Sequence, residues 1–325
     1  MGPAFLSRRP GVAATAGALC IAFSAILFRL ADVSPSTGAF YRCALAVPAL
    51  LLAARFEERA LGPRPRRDRL LALAAGLFFA ADLVLWHHAI DDVGAGLGTV
   101  LGNTQVVLVA LTAWLLLGER PTGRTLLSIP VVFGGVVLIS GALGGHTYGA
   151  NPGRGVLFGL GTGIAYTGFL LALRQGSGSR GVGSTEPPES AGGGSAGAGA
   201  GKRAAGPLAD ATLVCALAVI PVGYAAGELE WWPSWASIGW LVVLALTSQV
   251  LGWLLISFSL PRLPAALTSV LLTAQPVGSV VFSVLLLGES PSVVQLLGAA
   301  TILAGLVIVS TGRRARDPAP VTEAG

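Results

Sequence analysis

This sequence predicts an all-α membrane protein of ten transmembrane helices, arranged as two inverted five-helix repeats, and three observations carry that prediction. Hydrophobic residues make up 53% of the 325 residues and charged residues only 11%, whereas a soluble domain carries about 25% charged. Apolar runs long enough to cross a bilayer as helix, about 20 residues each, recur ten times along the chain. Finally, the second half aligns on the first. The mean hydropathy of +0.74 agrees: 16 acidic and 21 basic residues cannot coat a globule of this size, but they can decorate short loops. The net charge of +5 does not point to nucleic acid, because the arginines sit between apolar runs and not in a basic patch with base-reading or stacking residues.

Cutting at charges and Gly/Pro clusters places the spans at 11–30, 38–54, 70–90, 94–117, 124–142, 154–173, 208–227, 236–260, 264–287 and 292–311. Residues 1–10 form an N-terminal tail. Arg8 and Arg9 before the first apolar run imitate a signal peptide, but no convincing cleavage site follows, so the run reads as a retained span. The first five spans make a repeat over 11–142 and the second five one over 154–311. The latter is interrupted at 176–206 by a Gly/Ala/Ser-rich stretch without aromatic residues, expected to be a disordered linker. Residues 312–325 form a C-terminal tail. Helices follow because lipid offers no partner to a backbone amide, and the ten-residue alternation of an outer-membrane barrel is missing. Cys20, Cys43 and Cys215 all fall in apolar segments and read as small buried hydrophobes.

Arginine and lysine set the orientation. With both termini on the cytoplasmic side, the inner loops collect Arg8, Arg9, the Arg55 to Arg69 cluster, Arg120, Arg124, Lys202, Arg203, Arg262 and Arg313, while only Arg29, Arg42 and Arg154 fall towards the other side. Trp231, Trp232 and Trp235 mark an outer interfacial belt.

Residues 81–141 align without a gap on 251–311, a shift of 170 positions. Gln105 falls on Gln275, Leu117, Gly118, Glu119 and Pro121 on Leu287, Gly288, Glu289 and Pro291, and Gly135 on Gly305. Earlier, the five residues from Cys43 recur from Cys215. A duplicated unit of five helices, an odd number, enters the membrane from the opposite side the second time. That is the inverted-repeat design of secondary transporters, with a site near the midplane.

Ten spans, two halves and the paired Leu-Gly-Glu-x-Pro stretches at 117–121 and 287–291 resemble the drug/metabolite transporter superfamily, specifically its EamA-type members. The resemblance implies transport of small metabolites, amino acids or drugs, frequently outward, across a bacterial cytoplasmic membrane. In one respect the chain departs from the pattern: Pro276 follows Gln275, but Val106 follows Gln105, which puts a symmetrical pair of kinked helices in doubt.

Gln105 and Gln275 lie near the middle of spans four and nine. Each amide offers two donors and an acceptor, which suits a zwitterionic or polar solute; the bland alternative is interhelical glue. Asn103, Thr104, Thr273 and Gln249 are further cavity-lining candidates, with Trp86 and Tyr166 as stacking surfaces. Asp82 is the one carboxylate deep in a span. It reads either as a proton-coupling group or as one side of a fixed ion pair with Arg42 or Arg29. Glu119 and Glu289, with Gly118, Pro121, Gly288 and Pro291, read as structural corners where a helix N-terminus favours negative charge. His87, His88, Asp91 and Asp92 do not converge on one ion and read as a solvated helix end, so no metal is expected. Gly155, Gly159 and Gly163 predict a close helix contact, within the monomer or between two copies in a homodimer.

The function these features favour is a secondary carrier working by alternating access on a small-molecule solute amid membrane lipid. No Gly-x-x-x-x-Gly-Lys-Ser/Thr run is present, so no nucleotide and no other cofactor is called for. The competing possibility is a sensor or scaffold that keeps the fold without transport. An enzyme is not expected, since the spans hold no nucleophile–base–orienter set.

Overall fold

The computed structural model describes residues 10–117, 121–144, 146–176, 203–259 and 265–311, and every regular element among them is helical. α1 (Pro10–Ala22) and α2 (Ser24–Ala31) form one span interrupted at Phe23. α3 (Pro35–Leu61) starts on a proline, whose missing N–H costs nothing at a helix start, with Ser34 as the N-cap. α4 (Arg66–Val93) ends at Gly94, whose φ of 93° lets the chain turn at once into α5 (Ala95–Gly102). α6 (Gln105–Leu117), α7 (Gly123–Ile139) and α8 (Pro152–Gly176) follow. The second part holds α9 (Ala205–Ala226), α10 (Trp235–Leu244), a π-helical segment (Ala245–Gly252), α11 (Trp253–Ser259), α12 (Ala265–Leu287) and α13 (Val293–Thr311).

Seven helical stretches among the described residues are long and apolar enough to cross a membrane, and three further apolar helices, Gly123–Ile139, Ala274–Leu287 and Val293–Val309, are shorter. At 1.5 Å per residue the first of these three spans about 26 Å, a little under a ~30 Å hydrocarbon core. The outward surface is itself apolar: Leu52, Leu127, Phe133 and Leu157 are all exposed, the reverse of a soluble fold. Close packing comes instead from small residues. α4 lies along α8, α3 along α9 and α7 along α13. A methyl group on Gly155 or Gly159 would come within 2.5 Å of Val93 or Leu101, so this glycine stripe serves contacts inside the monomer.

Three details differ from the sequence expectation. α3 continues past residue 54 to Leu61, taking Arg55, Glu57, Glu58 and Arg59 into the helix, because charges that end an apolar run do not end helical hydrogen bonding. The expected linker stops short of Gly206: Ala205 and Gly206 open α9, and the Glu57 carboxylate accepts from the amides of Ala204, Ala205 and Gly206 at 2.8, 2.9 and 3.0 Å. Residues 177–202 lie outside the described residues. The helix that breaks is the one without proline. Between α5 and α6 the side chains of Asn103 and Thr104 turn back onto the carbonyls of Thr99 and Leu101 at 2.8 and 2.7 Å, competing with the ladder, whereas α12 runs through Pro276.

Candidate functional site

At the depth where the helices are irregular, a cavity of about 70 Å³ opens inside the bundle. Ile21 and Ser24 flank the interruption between α1 and α2, Asn103 and Gln105 that between α5 and α6, and Trp253 follows directly on the π-helical segment. Irregular backbone at membrane depth is tolerated where it lines a cavity, and π segments commonly sit at functional sites. Arg42 comes from α3; Phe79, Asp82, Leu83 and Trp86 from α4; Thr99 and Gly102 from α5; Thr162 and Tyr166 from α8; and Gln275 from α12.

Both charged groups on the wall are buried, Arg42 with 4% and Asp82 with 5% of its surface exposed. The Arg42 guanidinium lies over the Trp86 ring, 5.5 Å from its centroid, and Nε donates to Gln249 Oε1 at 3.0 Å. Among the described residues no cation lies within 4.0 Å of the Asp82 carboxylate. Arg29, the alternative partner, reaches Asp91 instead at 3.4 Å. Gln105 Oε1 and Thr162 Oγ1 are buried without a hydrogen-bond partner among the described residues. Around these groups stands an aromatic wall: Phe79 stacks on Phe169 at 4.5 Å, and Trp253 meets Phe169 edge-on at 5.6 Å and Tyr166 at 6.2 Å.

Of the residues singled out from the sequence, Arg42, Asp82, Trp86, Asn103, Gln105, Tyr166 and Gln275 stand on this one wall. Two others stand behind it. Gln249 is fully buried on the π segment, accepting from Arg42 and donating to Thr212 Oγ1 at 3.2 Å, and Thr104 donates to the Leu101 carbonyl at the end of α5. The side chain of Thr273 lies outside the described residues. Ser24, Thr99 and Thr162 escaped sequence reasoning, since a hydroxyl residue in a membrane helix gives no sign of which face it occupies.

The Gly-Glu-x-Pro corner of the second half has a partner that the sequence did not suggest. Gly288 turns with φ 65°, and Glu289, 3% exposed, accepts from the amides of Ala95 and Gly96 at 2.7 and 3.3 Å. It therefore caps α5, in the other half of the chain, and not the helix that follows it. Burial and this carboxylate push the nearby Tyr148 phenol up from its ordinary value. Pro291 follows in the turn before α13, and Pro121 precedes α7, while Gly118 and Glu119 lie outside the described residues.

The end of α4 is not solvated as expected. His87 is fully buried, stacked on Phe28 at 3.9 Å, with Nδ1 3.0 Å from the Pro35 carbonyl. Asp92 is buried under a two-point contact from Arg154, at 2.6 and 2.8 Å. His88 Nε2 lies 2.9 Å from Glu228, which also accepts from Ser36 Oγ at 2.6 Å. Asp91, paired with Arg29 on α2, stays exposed as expected, whereas His87 and Asp92 are buried by groups on other helices, Phe28 on α2 and Arg154 on α8.

The model of the EamA-like transporter family matches residues 10–141 and 207–311. A solved crystal structure is similar over 95% of this chain and 99% of its own length, with a TM-score of 0.60 at 15% identity, a likeness of fold alone. No curated protein matches the sequence.

Proposed function

The chain belongs to the EamA-like transporter family, and on that premise we propose that it is a secondary active transporter, carrying a small solute outward through the cytoplasmic membrane by alternating access. The observation that carries the reading is the cavity itself: side chains before and after the 177–202 stretch form one polar wall inside an apolar bundle. Site roles follow from position. Arg42, Asp82, Asn103, Gln105 and Gln275 hold the polar part of the solute, and Trp86 and Tyr166 its apolar part.

Reciprocal contacts support the inverted repeat. Cys43 and Cys215, equivalent in sequence, meet with sulfurs 3.3 Å apart, as residues on a two-fold axis must. Glu57 on α3 caps the start of α9, and Glu228, just after α9, meets Ser36 at the start of α3. A methyl on Gly135 would lie 2.6 Å from the Gly298 carbonyl, and one on its counterpart Gly305 3.6 Å from the carbonyl of Ser128, the counterpart of Gly298. Such a pair of halves can exchange conformations across the midplane. Cytoplasmic termini follow from the arginine bias. Asp82, without a cation in contact among the described residues, is also the group through which a proton gradient would couple.

The test is flux. Proteoliposomes containing the purified protein should show saturable, protein-dependent movement of a solute identified by thermal-shift screening, and Gln105→Ala should reduce it. Binding without saturable flux in any imposed gradient would sink the transporter reading in favour of a sensor.

A further inference from the structure

We propose that the arginine-rich end of the bundle, where α3 runs into α4, is a binding site for the headgroup of an anionic phospholipid. At 1.5 Å per residue the 27 residues of α3 and the 28 of α4 reach about 40 and 42 Å. That exceeds the ~30 Å hydrocarbon core and is about the 40–45 Å of a bilayer with its headgroups. The surplus turns therefore stand in the headgroup layer. At this end they carry Arg55 and Arg59 on α3 and Arg66, Arg67 and Arg69 on α4, all exposed. One turn nearer the membrane the surface is apolar: Leu52 and Phe56 on α3 and Leu70 on α4 are each more than half exposed. The Arg59 guanidinium lies 6.0 Å from the centroid of the Phe56 ring, a charged head held at the edge of that apolar surface. Acyl chain and phosphate are thus offered complementary surfaces in the order in which a lipid presents them.

The charges of this end divide into those the fold uses and those it leaves over. Glu57 is spent on the amides that open α9, Arg64 on Asp210 at 2.7 Å, and Arg203 on the carbonyls of Leu61 and Gly62 at 2.5 and 2.7 Å. These contacts tie the connection at 62–65, which also holds Pro63 and Pro65, to the start of α9. The exposed arginines have no ion pair among the described residues. Glu58 and Asp68, the other acids between positions 55 and 69, are too few to offset them. Arg66, Arg67 and Arg69 moreover stand at the start of α4, where the helix dipole disfavours cations, so helix formation does not account for them. An anionic headgroup does. Guanidinium groups bind phosphate at two points, and each arginine near an anionic membrane surface strengthens attachment about 5-fold. Because the helix ends are already fixed by Arg64 and Arg203, little ordering is lost on binding. A soluble polyanion would need these arginines clear of the membrane, whereas the exposed leucines and phenylalanine beside them keep them at phosphate depth.

The test uses the full-length protein in a neutral detergent. Dioctanoyl phosphatidylglycerol is the anionic probe, dioctanoyl phosphatidylcholine its counterpart without net charge, and glycerol phosphate the headgroup without chains, while a hexaglutamate peptide stands for an acidic protein segment. Binding is read by native mass spectrometry and by thermal shift, since a ligand of the folded state raises the melting temperature. Expected is saturable binding of phosphatidylglycerol, at least 10-fold tighter than that of phosphatidylcholine and weakened by salt. Arg66→Gln/Arg67→Gln/Arg69→Gln should weaken it at least 10-fold. Arg313→Gln/Arg314→Gln/Arg316→Gln, which removes the same charge from the C-terminal tail, should leave it unchanged. Equal affinity for the two lipids would overturn the proposal, and so would equal losses in the two triple variants, the mark of general charge attraction. Glycerol phosphate bound as tightly as the lipid would make this an anion site without a lipid, and hexaglutamate bound as tightly would make it a protein-docking surface; either result defeats the lipid assignment. If the first triple variant fails to fold, the probe series on the wild-type protein still decides.

Discussion

Replacing Glu289 with glutamine tests the most unexpected contact in the fold. Its carboxylate holds two amides at the start of α5, at 2.7 and 3.3 Å, from a position 3% exposed. A hydrogen bond to a charged acceptor contributes about 1.5–3 kcal/mol, and a buried amide left without a partner costs about 1–3 kcal/mol. Charge at a helix N-terminus adds about 0.3–1 kcal/mol. Glutamine keeps the shape and one acceptor oxygen but loses the charge, so Glu289→Gln should cost about 1–2 kcal/mol. Alanine abandons both amides and should cost about 2–4 kcal/mol. With roughly 2–4 °C lost per kcal/mol in a chain of this order of size, the glutamine variant should unfold about 2–8 °C below wild type in detergent and the alanine variant lower still. Glu58→Gln, at an exposed position near the end of α3, is the control and should change little. If the glutamine variant unfolds within about 1 °C of wild type, Glu289 is not holding α5 and the cross-half cap is wrong.

Removing the group behind Arg42, as in Gln249→Ala, should weaken solute binding several-fold while leaving the cavity wall chemically intact; unchanged affinity by calorimetry would show that Arg42 needs no positioning. Copper phenanthroline, as a membrane-permeant oxidant, should join Cys43 to Cys215, leaving one of the three cysteines alkylatable after denaturation; three reactive thiols would contradict the contact. Gly159→Leu should prevent folding, since even a methyl there meets Leu101 at 2.5 Å, and a monodisperse, cooperatively melting variant would count against the α8 packing. In inside-closed cells an impermeant maleimide should label Asn151→Cys but not Glu58→Cys, and the reverse would invert the topology.

Much of the fold was legible because a bilayer leaves few choices. Apolar length locates helices, and the self-alignment alone pairs Gln105 with Gln275. What the sequence hid was the partner of each polar group. Glu289 sits between a glycine and a proline that explain a corner locally, and nothing nearby reveals that its carboxylate reaches back to Ala95. Asp92 and His87 looked solvated because the residues that cover them, Arg154 and Phe28, lie on other helices. The break at Asn103 was masked for a similar reason: attention goes to Pro276, the residue that cannot donate, whereas the helix yields where side chains offer its carbonyls a competing donor. Gln249 was placed on the cavity because its amide offers donors and an acceptor to a solute, but on the π segment it spends them on Arg42 and Thr212.

The two ionisable groups of the cavity wall, Arg42 and Asp82, also bear on how the membrane potential acts on the cycle. Moving one elementary charge through 100 mV is worth about 2.3 kcal/mol. A site holding both Arg42 and Asp82 in ionised form has no net charge, so its return after unloading works neither with nor against the field, and a solute of zero net charge aboard does not change that. Neutralise either residue and the returning protein becomes a charge mover, slowed at one polarity and sped at the other.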